Sequence, residues 1–390
     1  MLRISLLILS FAVASRMVQA FVVSTPRSMG VGRKLQYQTH DILRMATDPV
    51  PGGQDIDWKN LQFGYMQTRS FAKVEFKDGK WGKTELMRGE PVIPMHIAAT
   101  ALHYGQSCFE GLKAFTGKDG KVRVFRPDEN AKRMEVSCKR VCMEYLPHDH
   151  FVQAVKDVVR DNIDYVPPYG TGGAMYIRPL LFGSGGAIGL KPSPEYTLII
   201  LVLPCGDYYK GGVQQVPATV IEDYDRAAPN GVGNVKVAGN YGADLLPNMQ
   251  AKERGFPVGL YLDAKTGTYI EEFSTSNFVG VDKKGSYITP KSNAILESIT
   301  NKSLRELAAK NGIDVQHRPV KIDEVSDMDE VVACGTAVVM TPIGSLQYGG
   351  KEIKISDREG FGPVMQGLYD EYRGIQCGDL PDSMNWMQTV

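Results

Sequence analysis

Segments typical of strands alternate with segments typical of helices along this 390-residue chain, and this alternation limits its possible folds most. Apolar and β-branched runs at 174–182 and 195–203 predict buried strands. Helical spacing of apolar residues predicts helices at 127–145 and 150–164. Turn residues from Pro204 to Gly212 then interrupt the pattern. We therefore predict an α/β (α+β) fold of two domains joined by a short linker.

The chain is long enough for two domains that each bury a core. We predict a small N-terminal α/β domain at 46–204, a linker at 205–215 and a larger C-terminal domain at 216–390. The other predicted elements are strands at 72–76, 121–125, 217–222, 258–263, 276–281 and 331–340, and a helix at 299–310.

The first 45 residues have the composition of a targeting segment. The segment has the pattern of a secretory signal: a basic residue at Arg3, an apolar run at 4–14 and small residues near Ala20. The apolar run is short for a membrane span. Residues 21–45 are basic, hydroxyl-rich and poor in acids, as transit peptides are. The order resembles the two-part plastid presequences of algae, which predicts a plastid protein with no membrane segment once mature. A mitochondrial presequence is the alternative.

Charge and cysteine content argue against two classes of function. The chain has 44 basic and 44 acidic residues and no basic stripe, so a nucleic-acid binder is not indicated. Its six cysteines form no CxxC pair and no metal-ligand spacing. We interpret them as core thiols and predict no metal site.

Lys236 stands in the apolar, tightly turning run NVKVAGNYG. Burial of a lysine disfavours its charged form and lowers its pKa, which makes the amine able to attack a carbonyl group. A surface lysine at the end of a strand is the alternative interpretation of this segment. The choice depends on the residues that accompany it.

The predicted helix at 299–310 offers a site for an anion. Ser298 is a suitable N-cap and Asn311-Gly312 a suitable stop. The first turn would present free N–H groups at the positive end of the helix dipole, where phosphate binds readily. An ordinary capped helix has the same pattern.

Three further segments carry groups with possible chemical roles. Gly335-Thr336-Ala337 places small residues and a hydroxyl where an apolar run ends. Glu271 and Glu272 lie in an apolar strand, where a carboxylate needs a partner such as a protonated ring nitrogen. Arg133 lies in a helix and could clamp a phosphate if it pointed inward.

Seven motifs in order resemble those of the branched-chain amino acid aminotransferases, fold-type IV enzymes that use pyridoxal 5'-phosphate. They are HYGQSCFEGLKAF, FRPDENAKRM, MYIRPLL, NVKVAGNYG, EEFSTSN, ILESITN and CGTAVVMTP. The resemblance runs from about Asp57 to Arg373 and is closest to the plant-type members. It implies transamination between leucine, isoleucine or valine and 2-oxoglutarate, which gives branched 2-oxo acids and glutamate. It also implies a homodimer whose active sites take residues from the partner.

The resemblance assigns cofactor contacts residue by residue. Lys236 matches the lysine that bonds covalently to the cofactor and later moves the substrate's proton. Tyr241 matches the tyrosine on the phenolic oxygen, and Glu272 the acid on the ring nitrogen. The remaining cofactor-binding positions are Arg133, Ile299, Thr300 and Thr336 around the phosphate, together with Thr275.

Substrate contacts follow from the same resemblance. Tyr176 and the backbone of Thr336 and Ala337 match the site of the α-carboxylate, and Arg178 matches the residue that meets the distal carboxylate of glutamate. The aromatic walls of the side-chain pocket match Tyr104, Phe109 and Tyr208. Tyr104 and Phe109 could also be plain core aromatics.

The sequence departs from the family pattern in two places. Val338 and Thr341 replace the redox-sensitive thiols of the mammalian members, so that thiol switch is absent. Ser298 and Asn301 stand where a glycine and a basic residue are usual. Because Ser298 can still cap the helix, we expect the phosphate site to be retained.

Other functions remain open at this stage. A D-amino acid aminotransferase or an aminodeoxychorismate lyase would use the same lysine and glutamate, although the MYIRP segment and the chain length favour the branched-chain type. An aminotransferase for aromatic or methionine-chain substrates has no distinguishing motif. An inactive protein of this fold is the alternative outside enzymes, and the presence of every chemical residue argues against it.

Overall fold

The computed structural model describes residues 53–206 and 213–390, and in these ranges the strands form two nine-stranded sheets. The first sheet has the order β18-β6-β5-β7-β8-β1-β2, with β3 paired to β1 and β4 paired to β7. Its strands are β1 (Ser70–Lys77), β2 (Lys80–Trp81), β3 (Glu85–Arg88), β4 (Ser107–Phe109), β5 (Leu112–Thr116), β6 (Val122–Phe125), β7 (Ala174–Gly183), β8 (Tyr196–Cys205) and β18 (Met387–Thr389). All its pairs are antiparallel, and the long β7–β8 pair forms its centre.

The second sheet has the order β11-β10-β9-β16-β15-β12-β13-β14, and β17 pairs with β16. An additional pairing of β11 with β12 closes six of these strands into a ring. Its strands are β9 (Val216–Val220), β10 (Val258–Leu262), β11 (Ile270–Phe273), β12 (Ser276–Asp282), β13 (Tyr287–Pro290), β14 (Val315–Arg318), β15 (Met328–Gly335), β16 (Val339–Tyr348) and β17 (Lys351–Lys354). The ring positions β11, which carries the two predicted acids, next to the start of β12.

Seven α-helices pack around these sheets within the described ranges. They are α1 (Thr100–Tyr104), α2 (Pro127–Arg140), α3 (His148–Asp161), α4 (Ala238–Ala243), α5 (Leu245–Glu253), α6 (Ile299–Lys310) and α7 (Pro363–Cys377). The long helices bury one apolar face, as Phe151, Val155 and Val158 of α3 show. None of the described helices is long and apolar enough to cross a membrane.

Local sequence explains the ends of α6. The Ser298 hydroxyl accepts from the Asn301 N–H and satisfies one of the free donors of the first turn. The helix ends at Lys310, before the Asn-Gly pair. The predicted helix at 299–310 is therefore confirmed at both ends.

Two predicted elements differ from the structure. The helix predicted at 127–145 ends at Arg140, because the chain turns at Cys142, which adopts a positive φ of 53°. The strand predicted at 331–340 is instead β15 and β16, separated by the turn at 336–338.

The fold is α/β, as predicted, but its first sheet also contains a strand from the far end of the chain. β18 pairs with β6 through Met387 and Phe125. Most of the predicted linker at 205–215 lies outside the described residues, so the domain boundary stays a prediction. The predicted presequence at 1–45 lies outside them as well.

Candidate active site

The backbone of Lys236 is held by residues from the N-terminal half of the chain. Its N–H donates to the Ser137 hydroxyl on α2 at 2.9 Å. Its carbonyl accepts from the Phe109 N–H at the end of β4 at 3.1 Å. Because α4 begins two residues later, the lysine is fixed between the first sheet and a helix start.

The side-chain amine of Lys236 is enclosed by aromatic rings. Its Nζ donates to the Tyr241 hydroxyl at 2.7 Å. It lies 4.7 Å from the centre of the Phe109 ring and 5.0 Å from that of Tyr241. Burial, and then the positive charge of Arg133, lower the pKa of the Lys236 amine to about 7. Lys236 is thus partly buried and its amine is enclosed, which supports the first interpretation and not the surface lysine of the second.

We expect this amine to become reactive near pH 7, because its pKa lies well below the value of 10.5 of an ordinary lysine. Only the neutral amine is nucleophilic, so its acylation should rise as the pH increases through that value. Brief labelling with acetic anhydride between about pH 5 and pH 11, read by peptide mass spectrometry on ligand-free protein, gives the midpoint. A midpoint near that of the exposed lysines would contradict the burial described above.

Arg178 and Tyr176 extend this site along β7. The Arg178 guanidinium lies 4.7 Å from the centre of the Phe109 ring, and its Nη2 donates to the Tyr176 hydroxyl at 2.8 Å. The two residues are two positions apart on one strand and therefore share a face. Gly111 permits this arrangement, because a Cβ there would lie 2.5 Å from the Tyr176 hydroxyl. Arg178 and Tyr176 thus present hydrogen-bond donors suited to an anion close to Lys236.

Glu272 is buried on β11, with 4% of its surface exposed. Its Oε1 accepts from the Leu296 N–H at 2.9 Å, and its Oε2 accepts from the Asn277 amide at 3.0 Å. Burial raises the pKa of the Glu272 carboxyl, and the positive charge of Arg226 opposes that rise. The carboxylate and the Lys236 amine are close enough to shift each other's pKa.

Arg226 supplies the counter-charge for Glu272. Its Nη2 lies 2.5 Å from the Glu272 Oε1, and the side chain is only 8% exposed. The same group donates to the carbonyls of Gly233 and Ala294. The loop reaches this position because residue 233 is glycine: a Cβ there would lie 2.2 Å from the Ala294 carbonyl oxygen. A buried cation at this point offsets the cost of burying the carboxylate.

A second buried ion pair joins Arg133 to Glu110. The Arg133 guanidinium donates to both Glu110 oxygens, at 2.8 and 2.6 Å, and Glu110 is fully buried. Its Nη1 also donates to the carbonyl of Glu297 at 3.1 Å, just before the N-cap of α6. Arg133 therefore points inward, which is the condition that a phosphate clamp on α2 must meet.

A cleft of about 550 Å³ opens where α6 begins. Arg133, Ser298 and Ile299 are among its lining residues. The first N–H groups of a helix have no partner inside the helix and carry the positive end of its dipole. Thr300 is buried in this first turn, with 1% of its surface exposed. Arg133 and the start of α6 therefore face the same cleft.

The turn at 336–338 is fixed against the first sheet. The Lys113 amine on β5 donates to the Ala337 carbonyl at 2.7 Å, and Lys113 is paired in register with Tyr176 on β7. Val339 ends the turn with a φ of +73°, a conformation that is costly for a β-branched residue. The turn is therefore held in one geometry beside Tyr176.

The family model for class IV amino-transferases matches residues 107–346, more than half of the chain. The chain belongs to the class IV aminotransferases. A branched-chain-amino-acid aminotransferase of Haemophilus influenzae is 44% identical over 344 residues, which cover 86% of this chain and 99% of that protein. The chloroplastic branched-chain amino acid aminotransferase 2 of Humulus lupulus is 43% identical over 85% of this chain and 81% of its own length.

A solved structure also resembles this aminotransferase in fold. The T.th. branched-chain amino acid aminotransferase, complexed with N-(5'-phosphopyridoxyl)-L-glutamate, aligns with a TM-score of 0.69 and 26% identity. The alignment covers 83% of this chain and 99% of that one.

Two of the predicted site residues, Tyr104 and Thr275, have their described contacts away from the Lys236 amine. Tyr104 is 43% exposed on α1, and its hydroxyl bonds to the Ile188 carbonyl. Thr275 is exposed in the turn between β11 and β12, close to Gly335 but without a contact to Lys236 among the described residues. Tyr208 lies outside the described residues. Phe109 and Tyr241 contact the Lys236 amine, and Arg178 lies against Phe109. Arg133 and Ile299 line the cleft at the start of α6.

Sequence reasoning missed three residues that the aminotransferase places at this site. Asn277 stands in the predicted strand at 276–281. Glu110 lies between β4 and β5 and is fully buried, so it needs a partner for the same reason as Glu272. Arg226 stands in a polar, proline-containing loop and gives no signal of its own.

Proposed function

We propose that this aminotransferase transfers the amino group of leucine, isoleucine or valine to 2-oxoglutarate, with pyridoxal 5'-phosphate as its cofactor. The observation that carries the proposal is the partly buried Lys236, whose amine has a pKa of about 7 and is hydrogen-bonded to Tyr241. The branched-chain aminotransferases at 44% and 43% identity support the substrate class. The phosphopyridoxyl-glutamate in the T.th. enzyme supports the cofactor and the acceptor.

The residues present fit such a cofactor. The Lys236 amine can react with an aldehyde, and the buried acid can bind a basic ring nitrogen. Arg133, beside the start of α6, can bind a phosphate. Lys236 would hold the aldehyde end, Glu272 the nitrogen, and Arg133 with the N–H groups of α6 the phosphate. When bound, pyridoxal 5'-phosphate supplies the carbonyl that takes up the amino group and a ring that withdraws electrons from the α-carbon.

The protein supplies proton transfer and orientation. With a pKa of about 7, the Lys236 Nζ is partly neutral at physiological pH and takes the proton from the α-carbon of the amino acid. In the second half-reaction it delivers a proton to the α-carbon of the newly formed glutamate. Tyr241 holds that amine in place through its hydroxyl. Glu272, paired with Arg226, would hold the proton on the ring nitrogen. Arg178 and Tyr176 receive the substrate's carboxylate groups, and the turn at 336–338 offers backbone N–H groups to the α-carboxylate.

We infer that the active unit is a homodimer. Large apolar side chains are exposed in two nearby stretches of the chain: Ile97 at 85%, Leu102 at 61%, Ile188 at 66% and Leu190 at 88%. Such exposure is typical of a protein interface. Tyr104 lies among these residues. In a homodimer its ring would face the substrate pocket of the second subunit, which accounts both for its exposure here and for its predicted role.

We also propose a plastid location, with residues 1–45 as the presequence. Support comes from the chloroplastic relative of Humulus lupulus and from the basic, hydroxyl-rich composition of residues 21–45.

Assay of leucine, isoleucine, valine, phenylalanine and D-alanine with 2-oxoglutarate tests the substrate class. We expect the three branched substrates to react with kcat/KM values within about 200-fold of one another, because an apolar pocket separates such side chains weakly. Phenylalanine should be slower and D-alanine inert. Preference for D-alanine would favour a D-amino acid aminotransferase. Purified protein that is colourless with the cofactor, and unchanged by borohydride, would point to an inactive member of the fold.

A further inference from the structure

A series of buried hydrogen bonds connects Glu272 to the first turn of α6. The Asn277 Nδ2 donates to the Glu272 Oε2 at 3.0 Å and to the Leu296 carbonyl at 2.9 Å. Its Oδ1 accepts from the Ser298 N–H at 3.3 Å and from the Asn301 Nδ2 at 3.1 Å. Asn277 therefore touches the acid with one end of its amide and the start of α6 with the other.

Asn301 is held as firmly as Asn277. Its Nδ2 donates to the Thr289 hydroxyl at 2.9 Å, and its Oδ1 accepts from the Tyr287 hydroxyl at 2.8 Å. Thr289 gives its own proton to the Phe278 carbonyl, so it can only accept from Asn301. Asn301 and Asn277 are 6% and 4% exposed. Both amides thus have every polar atom occupied inside the protein.

The direction of these bonds is fixed by groups that cannot reverse. The Leu296 carbonyl can only accept and the Ser298 N–H can only donate, so the Asn277 amide must turn its NH₂ toward Glu272. The opposite orientation would place an amide oxygen against the carboxylate. An acceptor facing an acceptor in a buried site is strongly unfavourable.

We propose that Asn277 and Asn301 are positioning residues that aim the Glu272 carboxylate at the cofactor's ring nitrogen and tie its position to the phosphate end of the site. This inference rests on the proposed function. Asn277 acts directly on the carboxylate, and Asn301 acts through Asn277. The amide at residue 301, where the family usually has a basic residue, is therefore used for the ring end of the site and not as a phosphate ligand.

The two ends of the site can be tested separately, with pyridoxal for the ring end and inorganic phosphate for the other. Cofactor-free Asn277→Ser and Asn301→Ser proteins would be titrated with pyridoxal, with pyridoxal 5'-phosphate and with inorganic phosphate. A hydrogen bond to a charged group corresponds to roughly tenfold to hundredfold in affinity. We expect the affinity of Asn277→Ser for pyridoxal to fall by that factor. The affinity of Asn301→Ser for pyridoxal should fall by about threefold to tenfold. The affinity for pyridoxal 5'-phosphate should fall by the same factors, and the affinity for inorganic phosphate should not change.

Asn162→Ser is the matched control, because Asn162 is a fully buried asparagine that bonds Ser70 and Val158 outside this site. The melting temperature of this variant should fall, because it loses the hydrogen bonds of a buried amide. Its affinity for pyridoxal should stay at the wild-type value. Equal pyridoxal affinities in all three variants would overturn the proposal. A loss of phosphate affinity alone in Asn301→Ser would also overturn it. If wild-type protein neither binds pyridoxal 5'-phosphate nor transaminates, the proposed function itself fails.

Discussion

Replacing Lys236 with alanine is expected to lower the rate of leucine transamination by a factor of about 10³ or more. The amine is the one group beside Tyr241 and Phe109, among the described residues, that can take a proton from the substrate at physiological pH, since its pKa is about 7. The fold should survive, because the contacts that fix residue 236 to Ser137 and Phe109 use backbone atoms. Single-turnover measurement of glutamate formation gives the rate.

Lys252→Ala is the control for this variant, because Lys252 is an exposed lysine on α5. It should react at the wild-type rate. Circular dichroism of both proteins verifies the fold. A Lys236→Ala protein that kept wild-type turnover would require a different base and would remove the central element of the mechanism.

The Glu272→Gln substitution is expected to slow removal of the substrate's α-hydrogen by a factor on the order of 10² while the cofactor stays bound. Glutamine has almost the same shape but carries no charge, so the ring nitrogen loses the group that keeps it protonated. It also leaves the Arg226 guanidinium buried without its counter-charge. Exchange of the α-hydrogen of leucine in deuterated water measures this step.

The neighbouring acid gives a matched control for that experiment. Glu271 is equally buried on β11, and burial raises the pKa of its carboxyl to about 7. Its Oε1 accepts from Ser292, so it belongs to a different set of contacts from Glu272. Glu271→Gln should exchange the α-hydrogen at close to the wild-type rate. If the two variants were slowed equally, the assigned role of Glu272 would be wrong.

The sequence predicted best what depends on local patterns. The helix at 299–310 is correct to the residue because Ser298 caps it and an Asn-Gly pair stops it. Lys236 stands out because a lysine in an apolar, turning segment is unusual, and the structure partly buries it. The motif resemblance then selected Tyr241, five residues on, whose hydroxyl meets the amine.

What the sequence could not predict depends on contacts between distant segments. Arg226 has the appearance of a surface residue until the fold brings its loop against Glu272 on β11. The pairing of Arg133 with Glu110 links a helix to a strand end in the same way. Tyr104 illustrates a further limit, since the motif match predicts a pocket wall but the residue is exposed on α1 and bonds to the Ile188 carbonyl. Residue type alone carries none of this information.

The position of β18 has a consequence for how the protein is made. The edge of the first sheet at β6 is covered by Met387–Thr389, which follow every strand of the second sheet in the chain. On the ribosome, the strands at 70–205 emerge long before their last partner, so their outer edge is open to other chains while the rest is translated. Chaperone protection during synthesis would matter most for this edge. A purification tag is accordingly better placed far from β18.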